Sequence, residues 1–183
     1  MHHFIAFLRG INLGRRRIKM DVLRAEFEAM AFSAVETFIA SGNVIFSTAT
    51  GDDRKLARQI EQHLQGALGY EVDTFVRTRT EVAAVAALHP FSAMDMGDPA
   101  NTVHVGFLPI ELGVDRQRAL AACRSDTDEF CVEGREYYWL CRGIKTHESR
   151  IWASPAVKAL RLPSSTMRNL KTVRKLAELY PAA

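Results

Sequence analysis

The sequence predicts an α+β protein with a ferredoxin-like βαββαβ first half, followed by a weaker, similar β-α-β-β unit and a C-terminal helix. Three observations carry that expectation. Short apolar or β-branched runs alternate with longer segments whose apolar residues recur at helical spacing. Over residues 4–77 their order is strand, helix, strand, strand, helix, strand. A second strand, helix and hairpin then begin at Thr102. With 183 residues, 48% of them apolar, the chain can bury an ordinary core as one domain or two small ones.

Phe4 to Leu8 is apolar on both alternating faces, as a strand covered on both sides requires. Leu23, Phe27 and Met30 recur at helical spacing while Arg24, Glu26 and Glu28 fill the opposite face, so Met20 to Met30 reads as an amphipathic helix. Val35–Ile39 and Val44–Phe46 read as strands of a hairpin about Ala40-Ser41-Gly42-Asn43. Asp52 caps a second helix bearing Leu56, Ile60, Leu64 and Leu68, and Gly69 stops it. Val72–Arg77 is a fourth strand, and Thr80–Leu88 a short helix ended by Pro90.

The turn-rich stretch Met94–Asn101 divides residues 1–97 from residues 98–183. Beyond it Thr102–Leu108 reads as a strand, Asp115–Arg124 as a helix, and Phe130–Glu133 with Tyr137–Cys141 as a hairpin about Gly134-Arg135. The path from Ile144 to Ser165 carries no clear period. Thr166 reads as the N-cap of a last helix with Leu170, Val173, Leu176 and Tyr180 on its apolar face, which places Arg168 in the first helical turn.

The net charge of +3 conceals a polarised layout. Arg9, Arg15, Arg16, Arg17 and Lys19 form an acid-free cluster, and Arg142–Lys175 holds nine Lys or Arg against the single acid Glu148. Such asymmetry points to an anionic partner. Cys123, Cys131 and Cys141 are an odd number without zinc-site spacing, which fits a reducing, cytoplasmic setting. No signal-peptide pattern opens the chain and no run is long enough to span a bilayer, so no membrane role is expected. Neither a metal site nor a cofactor motif is legible.

The ferredoxin-like topology brings the end of the first strand, the first hairpin and the loop before the fourth strand to one edge. Arg9–Lys19, Ser41–Asn43 and Gly69-Tyr70 should converge there. Cations at a helix start oppose the dipole by about 0.3–1 kcal/mol each, and adjacent arginines repel at roughly 0.5 kcal/mol per pair in water. A bound phosphate or carboxylate relieves both costs, and Gly10 and Gly14 let backbone N–H groups approach it. The bland alternative is a solvated loop whose arginines pair with neighbouring acids. The spacing is not a Walker loop. The corresponding connection of the second half, Leu108–Val114, has no Lys or Arg, so the architecture does not itself demand a basic loop.

Leu8-Arg9-Gly10-Ile11-Asn12, Lys19-Met20, Thr37 with Ile39, Ser41-Gly42-Asn43-Val44, and later Thr166, Arg168-Asn169 and Thr172 resemble the signature of a bacterial family, domain of unknown function 1697. The resemblance implies an α+β protein with a ferredoxin-like first half and implies no established activity. The chain departs from the pattern at Arg15, where a second glycine is usual, at Ala31, where a helix-stopping glycine is usual, and at Leu170-Lys171, where Trp-Asn is usual.

The expected anion site therefore comprises Arg9, Gly10, Asn12, Arg15, Arg17, Lys19, Ser41 and Asn43, with Arg168 and Asn169 from the second half. Its expected partner is a phosphate-bearing ligand, nucleotide-like or nucleic acid. One rival is an enzyme on a small phosphorylated or carboxylated metabolite, with Arg9 or Arg168 clamping it and Asn12, Asn43 or His147 orienting it. A scaffold is the other. The third strand lacks the stacking aromatics of an RNA-recognition sheet, whereas Tyr137, Tyr138 and Trp139 are either base-stacking or core.

Overall fold

The computed structural model describes residues 1–14 and 16–182. It divides into two compact units, Met1–Ala84 with Leu176–Ala183, and Val85–Lys175. In the first unit the elements are β1 (His2–Leu8), α1 (Met20–Ala29), β2 (Ser33–Phe38), β3 (Asn43–Thr48), α2 (Asp53–Leu68), β4 (Thr74–Thr78) and α3 (Arg79–Ala87), whose last turn passes into the second. The sheet order is β2-β3-β1-β4, with β1 antiparallel to both β3 and β4. This is the ferredoxin-like arrangement expected from the sequence.

Sequence signals account for most boundaries. The Asp52 carboxylate accepts a hydrogen bond from the Lys55 N–H at 2.9 Å, and Gly69 ends α2 with a φ of 76°. Leu23 and Phe27 of α1 and Leu56, Ile60 and Leu64 of α2 are all buried on one face of the sheet, against Phe4, Ala6, Val44 and Phe46. Ala31 takes a φ of 62°, the left-handed conformation for which a glycine is suited.

The second unit holds α4 (Ala93–Gly97), β5 (Thr102–Phe107), α5 (Val114–Ala122), β6 (Asp128–Glu133), β7 (Glu136–Cys141), α6 (Pro155–Ala159), β8 (Thr166–Asn169) and the start of α7 (Leu170–Leu179). Its sheet order, β6-β7-β5-β8, repeats the first plan strand for strand. The weaker β-α-β-β unit expected from the sequence is thus a complete ferredoxin-like sheet, with β8 as its fourth strand. The segment from Ile144 to Ser165, illegible in the sequence, holds two 3-10 turns, Thr146–Glu148 and Ile151–Ala153, and α6.

Thr166 is correspondingly not a helix cap, and Arg168 does not stand in a first helical turn. Thr166–Asn169 pairs with β5, Thr166 and Arg168 pointing inward and Met167 outward, a period of two that four residues were too short to announce. The cap of α7 is Asn169, whose Oδ1 accepts from the Lys171 N–H at 2.8 Å.

The duplication extends to register. Ile5 faces Arg77 in one sheet and Val105 faces Arg168 in the other. Both arginines are buried, and each donates from Nη1 to the carbonyl of its preceding residue, Val76 or Met167, at 2.9 Å. Tyr137, Tyr138 and Trp139 are each 1% exposed, which assigns them to the core rather than to a base-stacking surface.

Asp128 is the polar hub of this second core. Its carboxylate accepts from Trp139 Nε1 (2.8 Å), Ser149 Oγ (2.6 Å), Ser125 Oγ (2.8 Å) and Thr127 Oγ1 (2.8 Å). Burial pushes the carboxyl up, but those four donors outweigh it and leave the pKa below the ordinary range. Arg142 similarly joins Asp95 and Glu129.

Candidate functional site

The loop between β1 and α1 is shaped by its own residues before any ligand is considered. Gly10, Asn12 and Gly14 all have positive φ, at 75°, 57° and 58°. Asn tolerates that region because its short amide bonds locally, and Asn12 does so: its Oδ1 accepts from the Ile18 N–H at 2.8 Å and its Nδ2 donates to Ala40 O at 3.2 Å. One side chain thereby ties the far end of the loop to the β2–β3 hairpin. Leu8 N–H donates to Gly42 O at 2.8 Å, and the Gly42 Cα lies so close to Leu8 and Ile11 that an added Cβ would sit at 3.1 and 3.2 Å from their Cβ atoms.

Asn43 is fully buried, its Nδ2 donating to Phe38 O (3.0 Å) and Ser41 Oγ (2.8 Å). Both residues thus help close the hairpin. The segment after α2 completes the edge. Arg9 N–H donates to Asp73 O at 2.9 Å, Arg9 Nη1 pairs with the Asp73 carboxylate at 3.0 Å, and the Arg16 guanidinium lies over the Tyr70 ring at 4.4 Å. The basic loop, the first hairpin and the Gly69-Tyr70 turn therefore do meet.

Between the loop and the approach to β4 lies an open cleft of about 510 Å³, lined by Arg9, Gly10, Leu13, Gly14, Arg16, Glu71 and Asp73. Among its described lining residues, Arg9 and Gly10 are expected site residues. Arg16 belonged to the basic cluster without being selected. Glu71 and Asp73 complete the lining and are not among the expected site residues; their signal in the sequence is two acids directly before the fourth strand, opposite Arg9 in this topology.

The other expected residues stand elsewhere. Arg17 is exposed and donates from Nη1 to Asn12 O at 2.6 Å. Lys19 is the N-cap residue of α1, makes no side-chain cap, and does not line the cleft. Arg15 lies outside the described residues. Arg168, in the second unit, donates from Nη1 to Thr166 Oγ1 and Met167 O, both at 2.9 Å, and burial pulls its guanidinium down to about 10. Asn169 borders a separate cavity of about 290 Å³ with Lys171, Arg174 and Asn101.

Among the described residues, His147 lies in the 3-10 turn Thr146–Glu148 with no hydrogen bond to a nucleophile. Among the described residues no group of three His, Cys, Asp or Glu is placed to hold a metal ion. No helix among them is long and apolar enough to cross a membrane.

Comparison with known proteins adds fold and family. Residues 1–138 match the family model described as protein of unknown function (DUF1697). No curated protein matches the sequence. Among solved structures, the conserved bacterial protein SP0830 from Streptococcus pneumoniae is similar, with a TM-score of 0.76 and 21% identity over 100% of this chain and 99% of that one. Likeness at that identity speaks for the fold alone.

Proposed function

Because the chain belongs to the DUF1697 family of proteins of unknown function, which brings no activity with it, we propose its function from the cleft: it binds a compact phosphate-bearing ligand between the β1–α1 loop and the lead into β4. The observation that carries this reading is the convergence of Arg9 and Arg16 on one cleft whose loop wall contains two positive-φ glycines. Glycines there allow close approach to the backbone, and guanidiniums match phosphate oxygens in a planar fork. Stacking on Tyr70 pre-orders the Arg16 side chain, so less entropy is lost when it takes up a ligand.

Size and charge favour a small molecule over a nucleic-acid strand. A cleft of about 510 Å³ suits a ligand of metabolite or mononucleotide size. Glu71 and Asp73 stand in the same wall and would repel a continuous phosphate backbone.

Calorimetric titration with inorganic phosphate, pyrophosphate, AMP and a single-stranded oligonucleotide at low salt tests the proposal. A small phosphate compound should bind, and Arg16→Ala should weaken it by about tenfold, the worth of a hydrogen bond to a charged group. Absence of binding by every small phosphate compound, or binding untouched by Arg9→Ala and Arg16→Ala together, refutes it.

A further inference from the structure

Two neighbouring loops of the first unit hold bulky apolar side chains out in solvent. Leu13, in the β1–α1 loop, is 66% exposed, and Ile39, in the β2–β3 hairpin, is 52% exposed. The hydrogen bond from Asn12 Nδ2 to Ala40 O, at 3.2 Å, joins the residue directly before Leu13 to the residue directly after Ile39. Both side chains therefore belong to one tip of the unit.

Ile39 stands there against local preference. Its φ of 51° lies in the left-handed region, where a β-branched side chain crowds the backbone and Asn or Gly does not. A polar turn residue would suit both the conformation and the exposure. The tip is also cationic. Residues 9–19 carry Arg9, Arg15, Arg16, Arg17 and Lys19 without an acid. Against these five stand Asp73, paired with Arg9, Glu71 in the cleft wall and Asp21 in the first turn of α1. Arg17 bonds a neutral carbonyl and Lys19 is exposed, so both keep their charge toward an outside partner.

We infer that this tip docks on an anionic membrane surface, with Leu13 and Ile39 entering the boundary between headgroups and acyl chains while the cations meet lipid phosphates. Of the anionic partners, a bilayer is the one that offers negative charge with an apolar layer just beneath it. A nucleic-acid strand stacks on flat aromatic rings, not on aliphatic chains. A second copy of the chain would bring the same cations face to face, and two side chains fall far short of the roughly 800 Å² that a stable protein partner covers. Docking of this kind needs no spanning helix, so the lack of one among the described residues does not oppose it. The inference stands apart from the phosphate reading, since Ile39 does not line the cleft.

Co-sedimentation of the full chain with vesicles tests it, using phosphatidylcholine alone or with about 30% phosphatidylglycerol. The mixed vesicles should bind at least about tenfold more tightly and lose that advantage at high salt. Lys19→Gln should weaken binding about fivefold, the share of one cation near an anionic surface. Leu13→Ser with Ile39→Asn should weaken it about tenfold, and because Asn suits the left-handed turn, that double variant should keep its urea midpoint. Ile110→Ser, at an exposed apolar residue in the corresponding loop of the second unit, where there is no Lys or Arg, should leave binding unchanged. Equal binding to both kinds of vesicle, or binding to the mixed vesicles that survives Leu13→Ser with Ile39→Asn, overturns the inference. Self-association of the free chain that the same double variant abolishes also overturns it, because a second copy then covers the tip.

Discussion

Asn12 offers the sharpest test of how the loop is built, because it lies outside the cleft lining yet holds the loop in place. Asn12→Ala removes two hydrogen bonds, to Ile18 N–H and Ala40 O, worth about 0.5–1.5 kcal/mol each. It also leaves an alanine at a φ of 57°, a further cost of about 1 kcal/mol. Water replaces part of the Ala40 bond, which is exposed, so the expected loss of stability is about 2 kcal/mol. Asn12→Gly loses the same bonds without the conformational penalty and should cost only about 1 kcal/mol. Urea denaturation measures the two values. Amide exchange locates them, and faster exchange should be confined to the loop and the β2–β3 hairpin. Equal losses for the two variants, or a loss below about 0.5 kcal/mol for Asn12→Ala, would show that this side chain does not fasten the loop.

Asp128→Ala strands the buried Trp139 Nε1 and the Ser149 hydroxyl and should cost about 3 kcal/mol, whereas Asp128→Asn keeps one acceptor oxygen and should cost about 1 kcal/mol; thermal or urea unfolding distinguishes them. The wild-type Asp128 contribution, from a folded pKa below the unfolded value of about 3.9, is full above that value and lost as pH falls through the folded one. His104, stacked on Trp139 and bonded to Thr146 Oγ1 at 2.9 Å, has its pKa lowered by burial. The fold therefore disfavours the protonated ring, so stability is constant above about pH 6.5 and falls below it; His104→Gln should flatten the urea midpoint between about pH 7 and pH 5. Ala31→Gly should stabilise the protein by about 0.5–1 kcal/mol, read as a raised unfolding temperature, because relief of the left-handed alanine outweighs the added freedom of the unfolded chain.

Hydrophobic period and turn chemistry made the first unit readable. Leu23 and Phe27, Leu56, Ile60 and Leu64, Asp52 and Gly69 each announce a local requirement, a buried helical face or a cap, that needs no knowledge of distant residues. The second unit was half-hidden because β8 is four residues long and its buried Arg168 looks polar in sequence. A short edge strand is defined by its pairing with β5, and no local signal carries that information.

The candidate site divides along the same line. That Arg9, Arg16 and their neighbours are basic, and that glycines interrupt them, belongs to the sequence, and so does the topology that sends this loop toward the turn before β4. Which of those cations face a cleft is settled by side chains far along the chain. Asp73 takes Arg9, Tyr70 takes Arg16, and Asn12 spends Arg17 on its own carbonyl. Asn43, polar and part of the most distinctive motif, is wholly enclosed by its hairpin. Charge is a property of composition, but its availability depends on which groups folding brings within hydrogen-bonding distance, and a linear reading cannot supply those distances.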